Sequence, residues 1–339
     1  MKTIDKIIAD IKKEYDQPEH QKKMKFYAKR ALAELKSHNY YTVTPRGGES
    51  AVFYPFDVSL HENTLTHPAP FHNHDFFELV YVYRGSCVNI SSGIESHMQE
   101  KDLLFMTPDT LHYLKAPSES SIIFNFLITK DVFRQSMFSL MTNDVLSNFI
   151  ISYFYQLQKS VDFLILNRTD DSPIYAILHR LIQEYYQPQP GYEKVLEAGL
   201  IEVFLYMSRI LSKQFTPSGL FPTSQFLSSI ILYIQKNYST VTLKEVAYTF
   251  GYTEKYISRC MKKELNTTFS DFIKDIRLNH AAQYLSKTTM SVEQVAQMVG
   301  YQNMTYFYSI FRNKFQVSPK EYRLADCRHT ESDVSLPRP

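Results

Sequence analysis

Cysteine is scarce in this 339-residue chain: Cys87, Cys260 and Cys327 are its three examples, far apart and odd in number. Neither a disulfide framework nor a zinc finger is built from so few and so scattered thiols, and a reducing cytoplasm is the expected compartment. Long apolar runs are also missing, since none reaches the ~18–20 residues needed to span a bilayer. No short apolar stretch with a small-residue cleavage site stands at the start, so export and membrane association are not expected. With 44% apolar and 21% charged residues, the composition is that of a soluble globular protein. At roughly 100–200 residues per domain, the length predicts two domains and a connecting layer.

A large excess of one charge is lacking too, but the net of +2 hides an asymmetry. Residues 1–225 carry 22 Lys and Arg against 25 Asp and Glu, whereas residues 226–325 carry 13 against 7, a net of +6. Such a segment is either an ordinary solvated basic face or a module that docks on phosphates with release of counterions.

Self-similarity within the basic segment bears on that choice. Thr242 and Glu245 recur as Ser291 and Gln294, Val246 and Ala247 as Val295 and Ala296, and Gly251 and Tyr252 as Gly300 and Tyr301, each 49 residues on. A hydroxyl residue followed three positions later by Glu or Gln is the capping box of a helix start. About two turns later comes a glycine, able to take the left-handed backbone that ends one helix and redirects the chain. A second helix is predicted after each glycine, over residues 253–265 and about 303–315. Tyr256, Ile257, Cys260, Met261 and Leu265 form the apolar stripe of one, and Phe307, Ile310, Phe311 and Phe315 that of the other. Lys255, Ser258, Arg259, Lys262 and Lys263, and in the second copy Asn303, Thr305, Tyr308, Arg312 and Lys314, lie on the opposite faces. A short helix, a tight turn and a second helix with a polar face make a helix-turn-helix unit, whose second helix enters a major groove. Residues 270–286 read as one helix joining the two units, which sets them about one DNA turn, roughly 34 Å, apart.

Residues 226–324 resemble the DNA-binding domain of the AraC/XylS family of transcription regulators. Gly300, Tyr301, Tyr306, Phe307, Phe311, Arg312, Ser318, Pro319, Tyr322 and Arg323 follow that family's signature. The resemblance implies that Lys255, Ser258, Arg259 and Lys262 face bases or phosphates in the first unit, and Asn303, Met304, Thr305 and Tyr308 in the second. Arg312 is added as a DNA-facing cation, and Arg277 matches a family arginine with a structural or phosphate-facing role. Asn266 and Gln316 stand where the family usually has glycine, and Ser309 where it often has arginine. Arg259 is therefore expected to discriminate bases more than any residue of the second unit.

Residues 40–130 change texture to short β-rich runs with turn signals at Arg84 and Gly85, Ser92 and Gly93, and Pro108 and Asp109, as in a small antiparallel barrel or jelly roll. Residues i and i+2 of a strand share a face, so His72, His74 and Glu78 can point inward and His112 can join them from a neighbouring strand. Three imidazoles and a carboxylate suit a divalent metal; equally, they can form a polar network that meets an organic effector without one. The spacing of these four, with Gly85, Asp102 and Pro108, resembles the two cupin motifs and fills all four metal-ligand positions. Lys101 and Thr110 replace glycines of the second motif, and Ala116 an asparagine, which counts against an enzyme.

The expected fold class is α+β with two domains: an N-terminal cupin or jelly-roll barrel with a helical layer, and a C-terminal all-α domain with two helix-turn-helix units. Residues 1–39 are assigned to an amphipathic helix, 40–130 to the sensing barrel and 131–214 to a helical dimerisation and packing layer. A linker over 215–225, the DNA-binding domain over 226–325 and a disordered tail over 326–339 complete the division. The expected function is a non-enzymatic, effector-controlled DNA-binding regulator, with a sugar as one possible effector and no required cofactor. Its expected partners are double-stranded DNA, a small-molecule effector bound by His72, His74, Glu78 and His112, RNA polymerase and a second copy of the chain. The competing readings are a metal-dependent cupin enzyme fused to a DNA-binding module and a constitutive DNA-binding protein.

Overall fold

The computed structural model describes residues 2–20, 22, 41–43, 56–61, 71–91, 93–118, 120–133, 137, 141, 144–155, 162–169, 172–214 and 224–324. The expectations for 23–40, for most of the linker and for the tail lie outside them. Two compact units are present: one comprises Met1–Leu140, Asp144–Phe154 and Lys159–Pro222, the other Met141–Asn143, Tyr155–Gln158 and Thr223–Pro339. No helix among the described residues is long and apolar enough to cross a membrane.

The first unit opens with helix α1 (Ile4–Tyr15), which buries Ile4, Ile7, Ile8 and Ile11 as one stripe. Tyr15 donates to the Leu60 carbonyl at 3.1 Å and Arg84 pairs with Asp5, so α1 packs on this unit. Ten strands follow: β1 (Tyr41–Val43), β2 (Phe56–Leu60), β3 (His72–His74), β4 (Phe77–Arg84), β5 (Ser86–Ser91), β6 (Ile94–Gln99), β7 (Leu103–Met106), β8 (His112–Lys115), β9 (Ile122–Ile128) and β10 (Phe163–Leu166). They form two five-stranded sheets, ordered β1-β3-β8-β5-β6 and β10-β7-β4-β9-β2. The predicted turns each carry a left-handed residue, Gly85, Gly93 and Asp109.

Period-2 alternation divides the second sheet into two chemistries. Its outer face presents Phe77, Phe105 and Phe126, and helices α2 (Val145–Phe154), α3 (Ile174–Tyr186) and α4 (Tyr192–Gln214) supply the remaining layer. Phe105 meets Phe149 of α2 at 5.6 Å and Phe204 of α4 at 5.3 Å between ring centroids. The inner face contributes Val80, Val82, Leu104, Met106 and Ile123 to a cluster closed by Cys87, Met98, Leu114 and Ala116 from the first sheet. One expectation needs correction: the layer over 131–214 is not wholly helical. Phe163–Leu166 pairs antiparallel with β7 and completes the sheet edge, because four apolar residues are too few to hold a helix but enough to extend a ladder.

The second unit holds α5 (Ser224–Lys236), α6 (Leu243–Phe250), α7 (Glu254–Leu265), α8 (Phe269–Lys287), α9 (Val292–Met298), α10 (Met304–Phe315) and a last turn over 319–324. Helix α5 starts inside the stretch assigned to the linker. Both capping boxes form: Thr242 and Glu245 cap α6, and Ser291 and Gln294 cap α9, each side chain reaching the other's backbone N–H. The turns after them are closed alike, Tyr252 N–H donating to the Ala247 carbonyl at 2.9 Å and Tyr301 N–H to Ala296 at 2.8 Å. Past the glycines the repeat offset changes from 49 to 50, because Thr253 caps α7 whereas Asn303 caps α10. Ile257 and Met261 then match Phe307 and Phe311 as the buried pairs.

Arg277 of α8 ties these parts together. Its guanidinium donates to the carbonyls of Tyr238 at 2.8 Å and Ser239 at 3.0 Å, and lies 5.7 Å from the centroid of the Tyr301 ring. Of the two roles implied for Arg277, the structural one is what these contacts describe. Gly300 (φ 95°) passes so near that a Cβ would come 2.1 Å from the Ser239 carbonyl oxygen. Gly300→Ala should therefore cost the full chain about 3 kcal/mol in a urea titration. Gly251→Ala, at φ 71° with open space around it, should cost only about 1–2 kcal/mol. Equal losses at the two positions would refute the close approach.

Candidate DNA interface and barrel site

The second helices of both units start from side-chain caps. The hydroxyl of Thr253 accepts the Tyr256 N–H at 3.2 Å, and Asn303 Oδ1 accepts the Tyr306 N–H at 2.9 Å. Both end on left-handed non-glycine residues, Asn266 at φ 49° and Gln316 at φ 64°, the positions where glycine is usual in the family. Backbone demand is met there at a cost in strain rather than by residue choice.

On α7, Lys255, Arg259 and Lys262 are exposed and Ser258 is half-buried. The Arg259 guanidinium lies 5.8 Å from the Tyr256 ring centroid, and Tyr256 stacks on Tyr252 at 4.7 Å, which limits where that long side chain can go. Lys262 Nζ is 3.5 Å from the Asn266 carbonyl at the helix end. On α10, Asn303, Thr305 and Arg312 are exposed, while Met304 and Tyr308 are half-buried against the cluster formed by α8, α9 and α10. Tyr306, 52% exposed, was not picked out from the sequence as part of this face. With the extra residue in the second turn, Tyr306 is the counterpart of Tyr256, Thr305 of Lys255, Arg312 of Lys262, and Ser309 of Arg259.

In the barrel, strands β3, β4 and β8 bring three of the four expected residues together. His74 Nε2 lies 3.2 Å and His112 Nε2 3.3 Å from the same oxygen, Oε2 of Glu78, and all three side chains are buried. The Nδ1 of His74 is 2.7 Å from the Phe76 carbonyl and that of His112 is 3.1 Å from the Thr110 carbonyl. A carbonyl only accepts, so both Nδ1 atoms carry hydrogen and both Nε2 atoms face the carboxylate. Burial opposes ionisation of Glu78, but the hydrogen bonds and charge of His112 and His74 hold it well below the ordinary carboxylate range. The ligand atoms of His74, Glu78 and His112 all lie within 4.8 Å of one another. His72 stands opposite His112 in the β3–β8 ladder with its ring centroid 4.3 Å from that of His112, but is not one of the three.

A fourth imidazole, His61 at the end of β2, was missed because no spacing motif includes it. Burial pushes it below its usual value, with Glu78 opposing and His112 reinforcing that shift.

Residues 240–325 match the family described as "Helix-turn-helix domain", and residues 55–204 match "AraC-like ligand binding domain". The chain belongs to the AraC family of transcriptional regulators. Among similar proteins of that kind, the uncharacterized regulator YfiF of Bacillus subtilis is 26% identical over 84% of this chain and 88% of its own length. The transcriptional activator RhaS of Mannheimia succiniciproducens is 24% identical over 75% of this chain and 89% of its own. The raffinose operon regulatory protein RafR of Pediococcus pentosaceus is 29% identical over 47% and 57% respectively. The chain is thus an AraC-type, DNA-binding regulator with a ligand-binding domain.

Removing the shared acceptor of an AraC-type barrel site leaves two buried imidazoles facing each other. Glu78→Ala should lower stability by about 3 kcal/mol in chemical unfolding of the full chain. A loss below about 1 kcal/mol would mean that the carboxylate does not hold the imidazoles.

Proposed function

We propose that this chain is a non-enzymatic cytoplasmic regulator that binds double-stranded DNA as a homodimer through both helix-turn-helix units, under control of a small polar effector in the barrel. The observation that carries the reading is the pair of capped second helices, the first with Lys255, Arg259 and Lys262 exposed and the second with Arg312 exposed, in a segment of net charge +6. Arg259 reads a guanine edge, and Lys255, Ser258 and Lys262 contribute base or phosphate contacts. In the second unit Asn303, Thr305 and Arg312 grip the backbone while Met304 and Tyr308 support the helix from beneath. A serine in place of arginine at 309 makes this half the weaker reader.

His72, His74, Glu78 and His112 are the effector-binding set. A sugar is one suitable effector class, in keeping with the operon named for RafR. By linkage, an effector acts only through unequal affinity for two arrangements of the regulator. Val195, Ala198 and Leu205 are exposed apolar residues on one side of α4, around the Arg180–Glu202 ion pair, and this side supports dimerisation through that helix. RNA polymerase is the further protein partner.

A second reading of the barrel site, a bound divalent cation, is favoured by one observation. Two Nε2 lone pairs directed at a carboxylate oxygen repel unless a proton or a metal ion lies between. A tetrahedron with bonds of about 2.0–2.1 Å has edges of about 3.3–3.4 Å, close to the contacts seen. His74, Glu78 and His112 would hold the ion, leaving one position for an effector oxygen.

Arg259→Ala should weaken binding to the cognate promoter by about 1–3 kcal/mol and relax its sequence preference. Ser309→Ala should do neither, and Lys262→Ala should flatten the salt dependence by about one counterion. Fluorescence anisotropy across salt concentrations measures all three; unchanged preference in Arg259→Ala would refute the assignment. For the cation, zinc or manganese chloride should raise the melting temperature of the wild type and not of His112→Ala. Equal shifts in both would remove the metal reading.

A further inference from the structure

Resting on the reading of the barrel as the effector site, we infer that Asn89, Asn125 and His61 form a second polar subsite inside it, which takes hydroxyl groups of a neutral polyol. The inward faces of both sheets are identified by the apolar cluster of Val80, Val82, Cys87, Leu114 and Ile123. Asn89 lies two residues beyond Cys87 on β5 and opposite Leu114 of β8. Asn125 lies two residues beyond Ile123 on β9, opposite Val80 of β4 on one side and Ser59 of β2 on the other. His61 follows Ser59 by two, and its backbone N–H bonds to the Ile123 carbonyl at 2.9 Å. Strand pleating therefore turns all three toward the same interior, next to the apolar cluster.

Their polar atoms lack what buried polar atoms require. Asn89 is fully buried, and neither its Oδ1 nor its Nδ2 has a hydrogen-bond partner among the described residues. The same holds for Oδ1 of Asn125 and Nε2 of His61. Native proteins pair nearly all such groups, so orphans gathered on one inner face mark a place where a ligand or water completes the set. The ligand's chemistry follows from what surrounds it. A carboxamide offers donors and an acceptor together, matching a hydroxyl, which both gives and takes. No lysine or arginine occupies an inward strand position among the described residues, and His74 and His112 are already turned on the Glu78 carboxylate, which disfavours a second anion there. The adjoining apolar cluster suits the C–H face of a compact polyhydroxylated ring.

Thermal shift and calorimetric titration of the full chain test this, with D-xylose, D-galactose and myo-inositol as neutral probes and D-galacturonate as the anionic one. At least one neutral probe should raise the wild-type melting temperature, and Asn89→Leu and Asn125→Leu should each weaken its binding tenfold or more. Because Asn89→Leu removes orphaned atoms at nearly constant volume, its ligand-free melting temperature should equal or exceed that of the wild type, by about 2–4 °C. A lower melting temperature for Asn89→Leu would show that its polar atoms are satisfied in the folded protein and would overturn the subsite. So would undiminished probe binding by both variants, binding of galacturonate alone, or no response to any neutral probe. If a neutral probe binds through these residues yet leaves promoter affinity unchanged, the subsite stands and the effector-control reading fails.

Discussion

Arg277 is the point at which the DNA-binding domain is held to one geometry. Its guanidinium bonds the carbonyls at 238 and 239, which precede the first unit, while its own helix joins the two units. The turn of the second unit comes against the same place through Gly300 and Tyr301. Three segments distant in sequence thus share one side chain, and no β-carbon fits where the third arrives. The contacts are made to neutral carbonyls in a half-buried setting, whereas phosphate contacts weaken steeply with salt. Ionic strength can therefore strip the domain from DNA without altering the relation between its two second helices.

The barrel obeys a different constraint. Its inner face must be dry enough to keep ligand contacts strong and yet cannot leave polar groups without partners. Glu78 meets this with two imidazoles whose outer nitrogens are fixed on carbonyls, so that the rings cannot turn away. Asn89 does not meet it within the described residues, and that contrast separates a self-contained polar cluster from positions that await a partner.

Much of this was legible in the sequence because it is local. The two units announced themselves through capping boxes and a constant offset, since a cap and a helix stripe are both written within a few residues. The cluster of His74, Glu78 and His112 was legible because alternation along strands restricts which way side chains point. What escaped was set by pairing between distant strands. His61 and Asn125 become neighbours only through the β2–β9 ladder, and His72 stands apart from the triad although it shares a face with His74. The strand Phe163–Leu166 carried no period long enough to distinguish it from a helical turn, and its role came from the vacant edge of β7. Tyr306 escaped because Tyr256, its counterpart in the first unit, reads as part of an apolar stripe, so the polar pattern of neither helix points to it.

The extra residue in the second turn has a consequence for how the two halves of the domain diverge. Each second helix is restarted by its own cap, Thr253 or Asn303, so its rotational phase is set afresh and does not inherit the phase of the helix before the turn. Turn length thereby becomes a free variable. The chain can lengthen or shorten the elbow of one unit, and so change the elevation at which its second helix meets a groove, while every outward side chain keeps its place on that helix. Two copies that began alike are free to fit unlike half-sites without either one being redesigned.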